Sequence, residues 1–215
     1  SYGDNNLNSN LIFLTKYKKK IKIDKKKNFL ICTANISISE IYELLIENGF
    51  YLNVTPGSKN VTIGGAIAND VHGKNHHIDG SFSKYVSEIQ IITPKGKLKS
   101  CSLKKNKELF KATCGGAGLT GLIVSAKIKL FKINSKNIDV TLSSASTISE
   151  TISKLRRLKK SKYLIAWVDT INKNNFGRSI IISGNHSNDK NLNLKKKITI
   201  KLPSIIGKIF LNKFF

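Results

Sequence analysis

The stretch PGSKNVTIGGAIANDVHGKNHHIDGSF, residues 56–82, constrains this chain more than any other. It carries Gly57, Gly64, Gly65, Gly73 and Gly80 without a sustained apolar period, which predicts a long and mostly irregular segment. A loop of that length inside a compact domain is ordinarily functional. Glycine lets main-chain N–H groups approach a ligand with no side chain between them. Gly64–Gly65 followed by Ala-Ile-Ala can open a short helix whose unpaired first amides favour a diphosphate. The spacing is neither G-x-G-x-x-G nor G-x-x-x-x-G-K-[ST], so the Rossmann fingerprint and the P-loop are both absent. On residue types alone, a phosphate cradle and a tight crossover are both open.

The same stretch holds His72, His76 and His77, beside Asp70 and Lys74. Three readings compete. His72 and His76 are four apart, as a helical metal pair would be, with Asp70 as a third ligand, but Gly73 argues against the regular helix such a pair needs. A surface cluster without function is the second. The third is a pocket in which a His72 imidazole exchanges protons near neutral pH and the Lys74 ammonium holds an anion.

The flanks are more regular. NLIFLTKYKKKIKID and NFLICTAN predict two strands of a hairpin or meander. SISEIYELLIENG predicts a helix with Ser37 and Glu40 as a capping box, Ile41, Leu44 and Leu45 on one face, and Gly49 as a left-handed stop. EIQIITPKGKLKSCS predicts a hairpin turning at Pro94–Gly96, KNKELFKATCGG a short helix, and GLTGLIVSAKIKLF a strand. From about Ile138 the texture changes. STISETISKLRRLKK predicts a second capped helix, with Thr147 and Glu150 as the box and Ile148, Ile152, Leu155 and Leu158 as its stripe. YLIAWVDTI and RSIIISG predict strands of a further sheet. The last stretch, LPSIIGKIFLNKFF, reads either as an amphipathic membrane-facing helix or as the first turns of a continuing domain.

A formal net charge of +24 raises the question of nucleic acid. Its distribution answers it. Lysine runs such as Lys18–Lys20, Lys25–Lys27 and Lys195–Lys197 are scattered along the chain, and the arginines are only Arg156, Arg157 and Arg178. Base readout leans on bidentate arginine, and single-strand binding on stacked aromatics; neither pattern is present. No nucleic acid is expected, and a cationic nucleic-acid-binding module is the alternative reading, one that leaves the glycine loop unexplained. The lysines, with abundant asparagine and isoleucine, read as a solvated surface shaped by A/T-rich coding, or as a basic face for phosphorylated or membrane-bound substrates. Cys32, Cys101 and Cys114 form no C-x-x-C pair and are expected to be buried free thiols, with no metal site.

The run PGSKNVTIGGAIANDVHGKNHHIDGSF, then GGAGLTGLI, with SYGD upstream, resembles the FAD domain of the vanillyl-alcohol-oxidase (PCMH-type) class. Within that class it is most similar to the decaprenylphosphoryl-β-D-ribose oxidase family. The resemblance implies an α+β chain: residues 1–137 as the second α/β subdomain of a PCMH-type FAD-binding domain, and 138–215 as the start of an α+β substrate domain with an antiparallel sheet. It implies that this is part of a longer flavoprotein, lacking an earlier glycine-rich segment and the family's later lysine and cysteine. It also implies FAD as cofactor, with Ser1, Tyr2, Gly3, Asp4 and Asn5 lining pyrophosphate and ring. Gly57, Thr62, Ile63, Gly64 and Gly65 match the pyrophosphate loop, Asn69, Asp70, Val71 and His72 the next contact segment, and Ile123 a late backbone contact. His72 and Lys74 then lie on the substrate side of the flavin. The implied reaction oxidises a secondary alcohol on a polyprenyl-phosphate sugar or another sugar, with hydride passing to the flavin and a base near the ring. Aldonolactone and sugar-alcohol oxidases share this architecture. A short-chain reductase and a peripheral membrane contact are the implied partners, and the compartment stays open between cytoplasm and the periplasmic side of an inner membrane.

Overall fold

The computed structural model describes residues 14–171 and 176–194. It is built on two antiparallel sheets. The first comprises β1 (Ile21–Asp24), β2 (Phe29–Thr33), β3 (Phe50–Leu52), β4 (Val86–Ile92), β5 (Leu98–Cys101) and β6 (Leu122–Lys132), in the order β1-β2-β6-β4-β5, with β3 pairing the far end of β6. The long central β6 organises it. Its alternation puts Ala126, Ile128 and Leu130 on one face, where they join Leu30, Cys32, Ile89 and Ile91 in a single buried cluster.

That face is covered by α1 (Ile38–Glu47) and α2 (Ile63–Ala68), which contribute Ile38, Ile41, Leu45, Ile63, Ala66 and Ile67 to the cluster. The α1 capping box forms as expected: Ser37 Oγ accepts from the Glu40 amide, and Glu40 accepts at 2.9 Å from the Ser37 amide. The bond from Lys19, with these from Ser37, holds the Glu40 carboxyl at about 2. Gly49, at φ +73°, ends the helix. Leu44 is an exposed member of the predicted stripe.

The second sheet is β7 (Ile138–Ala145), β9 (Ser179–His186) and β8 (Tyr163–Val168), in that order, with α5 (Ile148–Arg157) against one side. Two details of α5 differ from the sequence reading. Glu150 accepts from the Ser146 amide, one residue before the Thr147 cap. The helix turns Thr151 inward, to a 2.7 Å bond with Ser179, leaving Ile148 and Ile152 exposed. That buried hydroxyl pair satisfies both groups at once and fixes the rotation of the helix.

Residues 56–82 are more regular than their glycines suggest. They contain α2 and the single turn α3 (His76–Asp79), joined by tight main-chain bonds. Upstream, part of the first expected strand is instead a 3-10 turn at Leu14–Lys16. The short helix α4 (Lys107–Thr113) and the β4–β5 turn form where expected, with Gly96 at φ +72°. Ser1, Tyr2, Gly3, Asp4, Asn5 and the stretch LPSIIGKIFLNKFF lie outside the described residues. No described helix is long and apolar enough to cross a membrane.

Candidate functional site

Thr62 caps α2: its side chain accepts from the Gly65 amide at 3.2 Å. The other first amides are also spent. Ile63 N donates to Ile36 O at 2.9 Å, and Gly64 N to Ala34 O at 2.8 Å. The sequence expectation that unpaired amides at this helix start would meet a diphosphate is therefore corrected, because the 34–36 backbone has taken them. Gly64 serves that close approach: a Cβ there would sit 3.1 Å from Ala34 Cβ and 3.3 Å from its carbonyl oxygen. Thr62 itself is exposed, Ile63 is buried, and Gly65 lies between those extremes.

The far end of α2 is closed by its own cap and by the GGAGLTG loop. Asn69 donates from both main chain and side chain to Gly65 O, while Gly115 N and Ala117 N donate to Ile67 O and Ala68 O. Asp70 takes a left-handed φ of +40°, and both carboxylate oxygens are engaged, by Ser81 Oγ and Ser83 N at 2.8 Å each. Val71 accepts from the Phe82 amide. Ile123 sits on β6 opposite Ile91 with its side chain in the core. Cys114, close to Asp70, is pushed up to about 11 by burial and then by that carboxylate, so its thiol stays protonated. Cys32 and Cys101 are buried free thiols, while Cys114 is only partly buried.

The HGKNHH segment follows. His72 is exposed, bridges Ser81 through the main chain, and stands edge-on to His76 with ring centroids 5.2 Å apart. Asp70 is committed to its serines, so the three-ligand metal arrangement is not assembled. Among the described residues no group of three His, Cys, Asp or Glu side chains could hold a metal ion. Gly73 passes so close to Thr55 that a Cβ would lie 2.2 Å from the Thr55 carbonyl oxygen. Asn75 is fully buried and donates at 2.6 Å to both Asn53 O and Asp79 Oδ2. Asp79 also receives the Tyr85 hydroxyl at 3.1 Å and the Lys162 ammonium at 2.7 Å. Burial pushes the Asp79 carboxyl up, and the bonds from Lys162 and Asn75 outweigh it, leaving it below the usual carboxylate range. Leu164 N of β8 donates to Lys74 O at 2.9 Å, and His77 Nε2 lies 2.9 Å from Ser161 O.

These contacts join the loop to the second sheet and leave a groove of about 280 Å³ between them. Its loop side is Thr55, Pro56, Gly57 and Lys74; its sheet side includes Ile138, Val140, Ile165 and Ile182. Pairing places Ile138, Val140 and Leu142 on one face with Ile182, Ile180, Ile165 and Trp167, the face opposite α5. Beyond the groove this face stays open, with Leu142 66% and Trp167 70% exposed. At the other end it is closed by aromatic contacts of His186 with Tyr51, Phe131 and Tyr163. Burial, then the Lys162 ammonium, depresses His186 below the ordinary imidazole value. Tyr51, Thr55, Asp79, Lys162 and Tyr163 were not singled out by sequence. Only the apolar–polar alternation of Ile138, Val140 and Leu142 marks this face in the sequence, because residues 163–168 are a continuous apolar run.

Residues 1–102 match the family model described as FAD binding domain. The chain is 32% identical over 190 residues to decaprenylphosphoryl-β-D-ribose oxidase of Mycolicibacterium smegmatis, covering 86% of this chain and 41% of that protein. Residues 1–102 are an FAD-binding domain of the PCMH type. This flavoprotein chain is also 26% identical over 158 residues to L-gulonolactone oxidase of Scyliorhinus torazame, covering 71% of this chain and 34% of that protein. Cytokinin dehydrogenase 2 of Arabidopsis thaliana is 37% identical over 114 residues, 51% of this chain and 22% of its own length. The flavoprotein chain thus spans about two fifths of the ribose oxidase and less of the other two. Its cofactor is FAD.

Proposed function

We propose that this chain is part of an FAD-dependent oxidoreductase that oxidises a secondary alcohol of a sugar, with a polyprenyl-phosphate-linked pentose as substrate. In this reading the cofactor is held by Ser1, Tyr2, Gly3, Asp4, Asn5, Gly57, Thr62, Ile63, Gly64, Gly65, Asn69, Asp70, Val71, His72 and Ile123. Ile63, Gly64 and Gly65, whose amides are held within the fold, would shape the contact surface rather than donate to the diphosphate. Gly57 has open space where a Cβ would project, and Thr62, Asn69 and His72 are exposed. Bound FAD supplies the redox chemistry by accepting the hydride. The chain's own residues bind, orient and exclude water. Lys74 presents an ammonium at the groove for an anionic head group, and His72 faces the reacting sugar.

One observation carries the substrate choice: Lys74 stands at one end of an apolar strip running from Ile138 and Val140 past Ile182 to Leu142, Ile180 and Trp167. Such a strip suits an anionic group attached to a long hydrocarbon better than a free sugar. Similarity to the ribose oxidase supports the same choice, and similarity to L-gulonolactone oxidase supports an aldonolactone as the second reading. The test is anaerobic titration of the complete flavoprotein with a short polyprenyl-phosphoryl pentose and with an aldonolactone. Bleaching by the first is expected. Bleaching by the lactone alone selects the second reading, and a colourless protein that ignores added FAD rejects both.

A further inference from the structure

The segment carrying His72 and Lys74 is gripped from behind by residues that do not line the groove. We propose that Asn75, Asp79 and Lys162 are positioning residues for Lys74, setting its place against the second sheet; this rests on the functional reading above. The chain of contacts is continuous. Asn75, with no exposed surface, ties Asn53 O to the Asp79 carboxylate, and Asp79 reaches Lys162 at 2.7 Å. Lys162 begins the run that enters β8, its main chain held by Asn185 Oδ1 at 2.8 Å and its ammonium 4.8 Å from the Phe131 ring centroid. Two residues on, Leu164 N donates to Lys74 O. The loop is therefore an added partner on the open edge of β8, and Asp79–Lys162 locks that register.

A pair that merely glued two sheets could sit anywhere along the junction. This one brackets Lys74, with Asn75 next to it in sequence and Leu164 bonded to its carbonyl. Removing one partner of a partly buried ion pair leaves the other uncompensated, which here would free the register the pair fixes. Displacement near 1 Å at a site can cost on the order of 100-fold in rate.

The experiment uses the complete flavoprotein loaded with FAD, in variants Asp79→Asn, Lys162→Met and Lys162→Arg. Hydrogen exchange at the Leu164 amide, which needs no substrate, should quicken about tenfold or more in Asp79→Asn and Lys162→Met, with Lys162→Arg restoring much of the protection. Unchanged exchange in Lys162→Met overturns the proposal, even if Asp79→Asn fails to fold. Bleaching by the polyprenyl-phosphoryl pentose supplies the second arm. Lys162→Met should slow it about tenfold or more on its own, yet add nothing in a Lys74→Ala background. Independent, multiplying effects would mean a structural role only and overturn the proposal. Quickened exchange in a protein whose wild type is never bleached keeps the positioning claim and removes the substrate reading instead.

Discussion

Replacing Gly73 by alanine tests the groove at its narrowest backbone contact. The new Cβ would begin 2.2 Å from Thr55 O, where real Cβ atoms keep at least 3.0 Å, so the two main chains must part by about 0.8 Å. Neither can yield alone. Gly73 precedes Lys74 and the buried Asn75, and Thr55 leads into Pro56 and Gly57 on the groove wall. Overpacking of this sort costs about 1–3 kcal/mol, which in a chain of this size lowers the melting temperature by roughly 2–12 °C. The same shift moves Lys74 relative to Pro56 and Gly57 across the groove, and close to 1 Å of misplacement at a reacting site costs on the order of 100-fold in rate. The assay is stopped-flow anaerobic flavin reduction in the complete FAD-loaded protein, alongside thermal melts. Lowered stability and much slower reduction, with flavin retained, are expected. Unchanged melting would refute the contact. Lowered melting with an unchanged reduction rate would refute the placement of the reacting groups beside Thr55 and Lys74.

Gly57→Ala should leave thermal stability unchanged, since its Cβ meets open space, yet weaken FAD binding measured by fluorescence titration; unchanged affinity would remove Gly57 from the cofactor contacts. The Asp79 carboxyl titrates below its unfolded value, so its stabilisation is fully present above about pH 4 and is lost as pH falls through the folded value. Urea melts should show Asp79→Asn less stable than wild type at neutral pH, with the gap closing in acid; a constant gap would contradict the ionised pair. Ser37→Ala removes the α1 cap and half of its box, and should cost about 1 kcal/mol in a denaturant midpoint, against no change if the cap were idle.

Much of this architecture is legible along the chain because its causes are local. Ser37 with Glu40 caps α1, Thr147 opens α5, Gly49 marks a left-handed stop, Pro94–Gly96 a hairpin turn, and apolar alternation or runs mark β4, β6, β8 and β9. The glycine loop, and the motif likeness it carries, pointed to FAD, and the family match agrees. A short helix at Gly64–Gly65 was readable in the segment, whereas the single turn α3 was not, because it is held by contacts of the buried Asn75 with Asn53 and Asp79 that the chain makes only once folded.

Sequence by itself determined the α+β character, through local patterns of capping and apolar spacing, and the cofactor class, through the motif likeness of its glycine-rich segments. Tertiary structure alone decided where the α2 amides go, what Asp70 and Asn75 hold, and which sheet face stays open beside Lys74. Hydrogen-bond partners are chosen by spatial approach. Ala34 meets Gly64, and Asp79 meets Lys162, only after the strands have paired and brought distant backbone into contact.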